Sequence, residues 1–562
     1  MALNANIAWE IRQAGSANNG GGFRNNLFQT PPSAPAVSGS GSGGTVAAGT
    51  YYCAITYTPG IGGETPISGE TAVTLSGTTS SITVTHPTDP GNGATWNLYV
   101  GTTSGGPYFP QGTALAIGSN RVVTTTPSTT GTQPAGTDRT LSTSPFVAID
   151  NSAVTTSITT NVITFTGGYI PTGADVGNVV HMLTGTNVTA GFKEIVGVTS
   201  TTWIMDSNVV SSGTTTNATG NMGGAIDYPG TVQAVAVTNN VLMTKYSATA
   251  YSFAAGLTFS QSQLTICGYD TTRALNNTDA NRPIFNPTAN SLLLFNCNNR
   301  INFFNIDFVN TTPRTGTQGI SLNNGTARNC RFNTYQNYAI TVSNGYVADC
   351  EFISCGSGNI TVNMSGASQL VRCIFKACSS TGQGVVLVAA GCSLVDCVSY
   401  GHTSTTAFNG PGYFRGCVAY GGTTVNGHGF SNTSGQSANY ENCIAYGNAG
   451  WGFTGSNQIN SGSMVRCFTG ANTLGALNPI VIGPYQQYAC GTLSGDPFTA
   501  AASYDFSPNN AAGAGASIRN LPITSWGGTT TSYLDAGVAQ HAAAGGGPVP
   551  RIGSSLISNY RT

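Results

Sequence analysis

Charge is what this chain has least of: Asp, Glu, Lys and Arg make up 7% of its 562 residues, and Lys193, Lys245 and Lys376 are its only lysines. Soluble domains usually carry about a quarter, so charge-rich disorder and coiled coils are excluded. With a net charge of −1, there is no basic stripe to displace counterions from a duplex and no field to draw the chain to an anionic membrane. No nucleic-acid partner is expected. Membrane insertion is not expected either, because no apolar run approaches the roughly 18 residues of a spanning helix. The opening MALNANIAWEIRQAG has neither a basic start nor an apolar stretch, which predicts no N-terminal export signal.

Reactive motifs are also scarce. There are five histidines and no CxxC, HExxH, GxSxG or P-loop phrase. The 14 cysteines fall far below the density of a disulfide scaffold. No metal, cofactor or catalytic residue is predicted. Abundant instead are glycine, at 75 residues, and Thr, Ser and Asn, interleaved with short β-branched and aromatic runs. That mixture reads as all-β with many turns. The length exceeds what one core organises, which implies several domains or a repeat array.

The repeat is legible from about residue 300. One phrase returns as FFNIDF, ARNCRF, VADCEF, LVRCIF, LVDCVS, FRGCVA, YENCIA and MVRCFT, centred on Ile306, Cys330, Cys350, Cys373, Cys397, Cys417, Cys443 and Cys467 at spacings of 20 to 26 residues. Upstream of each cysteine stands a second phrase, such as Gly319-Ile320, Ala339-Ile340 and Gly429-Phe430. Phe308, Phe332, Phe352 and Phe375, then Ser399, Ala419, Ala445 and Thr469, lie two residues beyond the central position and face inward with it. The apolar residues before the bend, Phe303, Val347, Leu370, Leu394, Phe414, Tyr440 and Met464, break strict alternation and predict a tight corner. That corner carries Asn305, Asn329, Asp349, Arg372, Asp396, Gly416, Asn442 and Arg466. A thiol packs as a small hydrophobe, and no histidine stands at a ligand-like spacing, so the cysteines are expected as reduced, stacked core residues. Coils of three strands with a stacked polar corner resemble the right-handed parallel β-helix family over roughly 229–510.

Residues 44–135 alternate at period two between Gly, Pro, Asp and Ser clusters, which predicts a β-sandwich. Their closing GTTSGGPY resembles fibronectin type III-like modules of phage structural proteins. AWEIRQAGSANNGGGF at 8–23 and ADVGNVVHML with AGFKEIVGVTSTTWIMD at 174–206 resemble two halves of one module of phage-type and environmental β-helix proteins. YDFSPNNAAGAGA at 504–516 and SYLDAGVAQ at 532–540 resemble the closing segment that many right-handed β-helix proteins carry, with Ala536-Gly537-Val538 where Ile-Gly-Ala is commoner. The predicted organisation is an attachment segment at 1–34, a fibronectin-like sandwich at 35–139, a β-rich module at 140–228 pairing with the N-terminal segment, the β-helix at 229–503, and a closing coil and tail at 504–562.

Asp349 and Asp396 are two coils apart, roughly 9.6 Å at the strand spacing, near the separation of an inverting glycosidase pair. Arg372 stands between them, as Arg331 stands between Asp307 and Glu351. A neighbouring guanidinium lowers the pKa that a catalytic acid needs raised, so both columns are expected as exterior charge ladders. Further along, Ile374, Val398, Val418, Ile444 and Phe468, with Tyr400, Tyr420 and Tyr446, form an apolar and aromatic stripe pointing away from the core. Three readings stay open for it: a subunit interface, a sugar-stacking platform helped by Trp451, or cover by another loop. The resemblance implies a virion structural protein, such as a tail fibre, tailspike or capsid appendage. It would be a homotrimer buried along the stripe, joined to other virion proteins by its N-terminal module and adhering to a host-surface glycan or receptor. The alternatives are a polysaccharide depolymerase on the same β-helix and a bacterial surface adhesin.

Overall fold

The structure, a computed structural model, describes residues 7–518 apart from 25–29, 60–63, 151–153, 158–160, 229, 236, 275–278, 382, 404–405, 433–436, 456–461, 479–486 and 502–504; it also describes 521–522 and 533–534. The closing phrase expected at 532–540 lies outside the described residues except for Tyr533–Leu534. Among the described residues no helix is long and apolar enough to cross a membrane. The chain forms two compact units, Met1–Tyr251 with Gln261–Pro283, and Ser252–Ser260 with Ile284–Thr562.

In the first unit, alternation builds the sandwich. Val37–Ser40, Ser81–Val84 and Arg121–Val123 form one antiparallel sheet, and Thr71–Leu75, Gly49–Thr58, Thr95–Gly101 and Phe109–Leu115 form another. Their inward residues, among them Cys53, Ile55, Ile82, Trp96 and Leu98, share one core. Seven antiparallel strands between Val147 and Met222 close around Ile163, Trp203 and Met205. The strand Ile7–Ile11, buried throughout, runs parallel to Val241–Lys245, which runs parallel to Thr265–Tyr269. Glu10 is fully buried there, with Arg12 at 2.8 Å, Arg273 at 2.9 Å and the Tyr269 hydroxyl as partners, and Arg273 also reaches Asp138. Burial pushes the Glu10 carboxyl up, against the lowering pull of Arg273.

The second unit is a parallel β-helix, as the repeat predicts. Each coil contributes a strand to each of three parallel sheets. The first sheet contains Asn302–Phe304, Thr326–Arg328 and Tyr346–Ala348 and their successors, the second Asp307–Val309, Arg331–Asn333 and Glu351–Ile353, and the third Gln318–Asn323, Ile340–Ser343 and Val362–Ser365. Every corner residue between the first and second sheets is left-handed, with φ from 50° to 64° across Asn305, Asn329, Asp349, Arg372, Asp396, Gly416, Asn442 and Arg466. One such residue reverses the pleat, which lets Val347 and Cys350 both face inward. Asn329 Nδ2 donates to Asn305 Oδ1 at 2.9 Å, so the corners also bond to each other. Asparagine and aspartate tolerate this backbone because their short polar side chains bond locally.

Inside, Cys330, Cys350, Cys373, Cys397, Cys417, Cys443 and Cys467 are buried free thiols, and Cys490 extends the column. Burial pushes the thiols of Cys350, Cys397 and Cys443 well up, so they pack neutral. Phe308, Phe332, Phe352 and Phe375 stack at 4.9, 5.0 and 4.7 Å with their rings within 9° of parallel. At that level the bulk changes sides. Phe375 is followed in register by Ser399 and Ala419 in the second sheet, while in the third sheet Val386 is followed by Phe408, Phe430 and Phe453. Core volume is thereby conserved along the coil.

Candidate functional site

The expected stripe on the second sheet exists, but its own chain covers it. Val398, Val418, Ile444 and Phe468 are in register and form one buried cluster with Leu493, Phe498, Ala501, Phe506 and Ile518 of the closing segment. Tyr400, Tyr420 and Tyr446 stack beside them at 5.6 and 5.9 Å, and Phe498 and Phe506 pack edge-on against Tyr420 at 5.8 and 5.9 Å. The subunit-interface and sugar-platform readings of this stripe are therefore corrected: it meets a strap formed by the described residues of 493–518. A homotrimer would have to be built on another face. Ile374, one coil earlier and next to Glu351 in register, is half-buried and outside the covered cluster.

Trp451 is also not part of the stripe. It sits on the third sheet, pairs with Gly475, and lies over that residue so closely that a β-carbon there would come within 2.7 Å of the ring. Its backbone N–H donates to His428 Nδ1 at 2.9 Å. Nearby His402 is fully buried, with Nε2 3.1 Å from the His428 carbonyl, and burial lowers its pKa to about 4.

In each acid–Arg–acid column the arginine pairs with the preceding acid. Arg331 pairs with Asp307, and Lys376 with Glu351. Arg372 clamps Asp349 through Nε at 2.6 Å and Nη2 at 2.8 Å, and Arg328 adds a contact at 3.3 Å. Burial alone would raise the Asp349 carboxyl, but the Arg372 hydrogen bonds and both guanidinium charges hold it below the ordinary aspartate value. A carboxyl in that state is a poor proton donor at neutral pH.

A column of neutral polar side chains lies on the outer side of the first sheet. One residue upstream of each inward apolar position stand Thr326, Tyr346, Gln369, Ser393, Tyr413, Asn439 and Ser463, in continuous register. Alternation alone makes this column face outward, and that signal, one residue before Phe414 or Tyr440, was available in the sequence. Tyr413 donates its hydroxyl to Glu441 Oε2 at 2.5 Å, and Arg466 bonds Glu441 Oε1 at 2.7 Å and Asn442 Oδ1 at 2.9 Å. Ser463 donates to Asn439 Oδ1 at 3.0 Å. A groove of about 400 Å³ opens beside Tyr413, where three successive coils turn into the first sheet.

No family model matches the sequence, and no curated protein matches it. Among solved structures, the chain is similar to the tailspike protein gp49 from Pseudomonas phage LKA1, with 12% identity and a TM-score of 0.17. The match covers 60% of this chain and 65% of that one, just under two thirds of its length. The β-helix rests on its own strand registers and not on this likeness.

Proposed function

We propose that the chain is a virion structural protein of the tail-fibre, tailspike or appendage kind, whose β-helix adheres to a host-surface glycan or receptor without making or breaking bonds. The observation that carries the adhesive reading is the state of the outer carboxylates. Asp307, Asp349, Glu351 and Glu441 are each held by a guanidinium or an ammonium, and Asp396 lies within the field of Arg372, beside a column of neutral hydroxyl, amide and phenol groups. A glycosidase needs one carboxyl kept protonated and a second free to act, whereas adhesion needs neither. The virion assignment is supported by the resemblance of the sandwich phrase to modules of phage structural proteins and of the N-terminal phrases to phage-type and environmental β-helix proteins. In this reading the fibronectin-like sandwich is a spacer, and the N-terminal segment joins other virion proteins.

The test is to incubate the full chain with host capsule or lipopolysaccharide and follow both retention and cleavage. Retention without new reducing ends or unsaturated uronates is the expected result. Steady release of either product, falling by a factor on the order of 10² or more in Asp349→Asn or Asp396→Asn, would replace adhesion with depolymerisation.

A further inference from the structure

The groove beside Tyr413 is bounded by Gly391, Ser393, Pro411, Gly412, Tyr413 and Asn439, and its volume of about 400 Å³ lies within the roughly 300–1,000 Å³ typical of small-molecule sites. Three features of it bear on what it can hold. Its lining is uncharged, and the one carboxylate that Tyr413 touches, Glu441, is already engaged by that phenol and by Arg466. The Tyr413 hydroxyl is anchored on Glu441, which holds the ring in place at the groove. Donors remain as well: Asn439 accepts from Ser463 through Oδ1, leaving its Nδ2 hydrogens without a protein partner among the described residues, and the Ser393 hydroxyl is likewise unbonded.

We propose that this groove is a binding site for one uncharged pyranose unit. The sugar's apolar face lies on the Tyr413 ring, and its hydroxyls meet Asn439 Nδ2 and Ser393 Oγ. An aromatic face with a few convergent neutral hydrogen-bonding groups suits a polyol. A uronate or sulfated sugar would bring a charge that no free cation in the lining answers, and desolvating it unpaired is costly. The proposal deepens the adhesive reading and rests on it for its biological meaning.

Saturation-transfer NMR on the full chain, with glucose, galactose, mannose, rhamnose and N-acetylglucosamine against glucuronate and galacturonate, tests the site. At least one neutral sugar should bind, with affinity unchanged between low and high salt. Tyr413→Ala and Asn439→Ala should each weaken it about tenfold or more. Ser393→Phe should block it by filling the groove from the neighbouring coil, with the circular dichroism of each variant unchanged. Absence of binding by every neutral sugar, preference for the uronates, or indifference to all three substitutions would overturn the proposal. Retention on host polysaccharide that survives Tyr413→Ala and Ser393→Phe would sink the groove and leave adhesion standing. A neutral sugar bound in the groove by a chain that no host surface retains would do the reverse.

Discussion

The phenol of Tyr420 donates a hydrogen bond to Asp496 Oδ2 at 2.5 Å, across 76 residues of sequence. That contact ties the strap to the stripe it covers, and the apolar cluster beneath it does most of the holding. Tyr420→Phe should therefore cost only about 1 kcal/mol. Phe506→Ala, which empties a buried site, should cost on the order of 3 kcal/mol, lost locally. The expected readout for Phe506→Ala is proteolytic cutting within 493–518, binding of a hydrophobic dye, and concentration-dependent association through the uncovered face. A Phe506→Ala chain that stays uncut and dye-free would show that the strap is not what shields the stripe.

The thiol ladder makes a labelling prediction. Thirteen of the 14 cysteines are buried and Cys490 is half-exposed at the end of the column. Iodoacetamide under native conditions should modify Cys490 alone, and all 14 in denaturant. Cys397→Ser should destabilise by roughly 1–3 kcal/mol through a buried hydroxyl short of partners, and Cys397→Ala by less. Native labelling at several positions would mean that the ladder is open to solvent.

The left-handed corners predict an order among substitutions. At Asn329, glycine removes the bond to Asn305 but accepts φ of 54°, whereas valine loses the bond and pays roughly 1–2 kcal/mol more for the backbone. Chemical denaturation should rank the chains Asn, then Gly, then Val. Equal stability of Gly and Val would remove backbone strain as the reason for the polar corner.

Asp349 predicts a pH dependence. Its carboxyl is held low in the fold, so its contribution is complete above the unfolded value near pH 4 and is lost as the pH falls through the folded value. The group is partly exposed, so the contribution is about 1 kcal/mol. The wild type should exceed Asp349→Asn in stability at neutral pH and converge with it in acid. A gap that persists at the lowest pH at which both chains fold would assign the effect to packing.

The coil, its inward columns and its corner were legible because each is a periodic demand on single residues: a cysteine at 350, 373 and 397, a phenylalanine two positions later, a polar residue just before. The pairing of Arg372 with Asp349 and of Arg331 with Asp307 was legible for the same reason, whereas the bond from Lys376 to Glu351 was not. The fate of the stripe was not. Whether Val418 meets solvent, a second copy or Phe506 depends on where a non-repetitive segment some 80 residues later folds back, and no period reports that. The stripe itself does carry a hint. The outer position of the second sheet is charged at Asp307, Arg331 and Glu351 and apolar from Ile374 to Phe468, and the strap packs on its apolar members from Val398 onward. The polar column through Tyr413 followed from alternation, but its neutral residues carry none of the charge or metal chemistry by which sites are usually noticed.

Near-identical coils carry a hazard for a folding chain, because a strand can pair one level too early or too late with little local penalty. The exchange of bulk at Phe375 and Phe408 removes that degeneracy. A strand of the third sheet that slipped one level against the second would set either two aromatic rings or two small side chains at the height of Phe375 and Ser399, so that layer would be overpacked or hollow. A single crossover of side-chain size thus fixes the register of the second sheet against the third. A shaft lengthened or shortened by whole coils should keep its fold, whereas Val386→Phe, which sets a second ring at the height of Phe375, should overpack that layer.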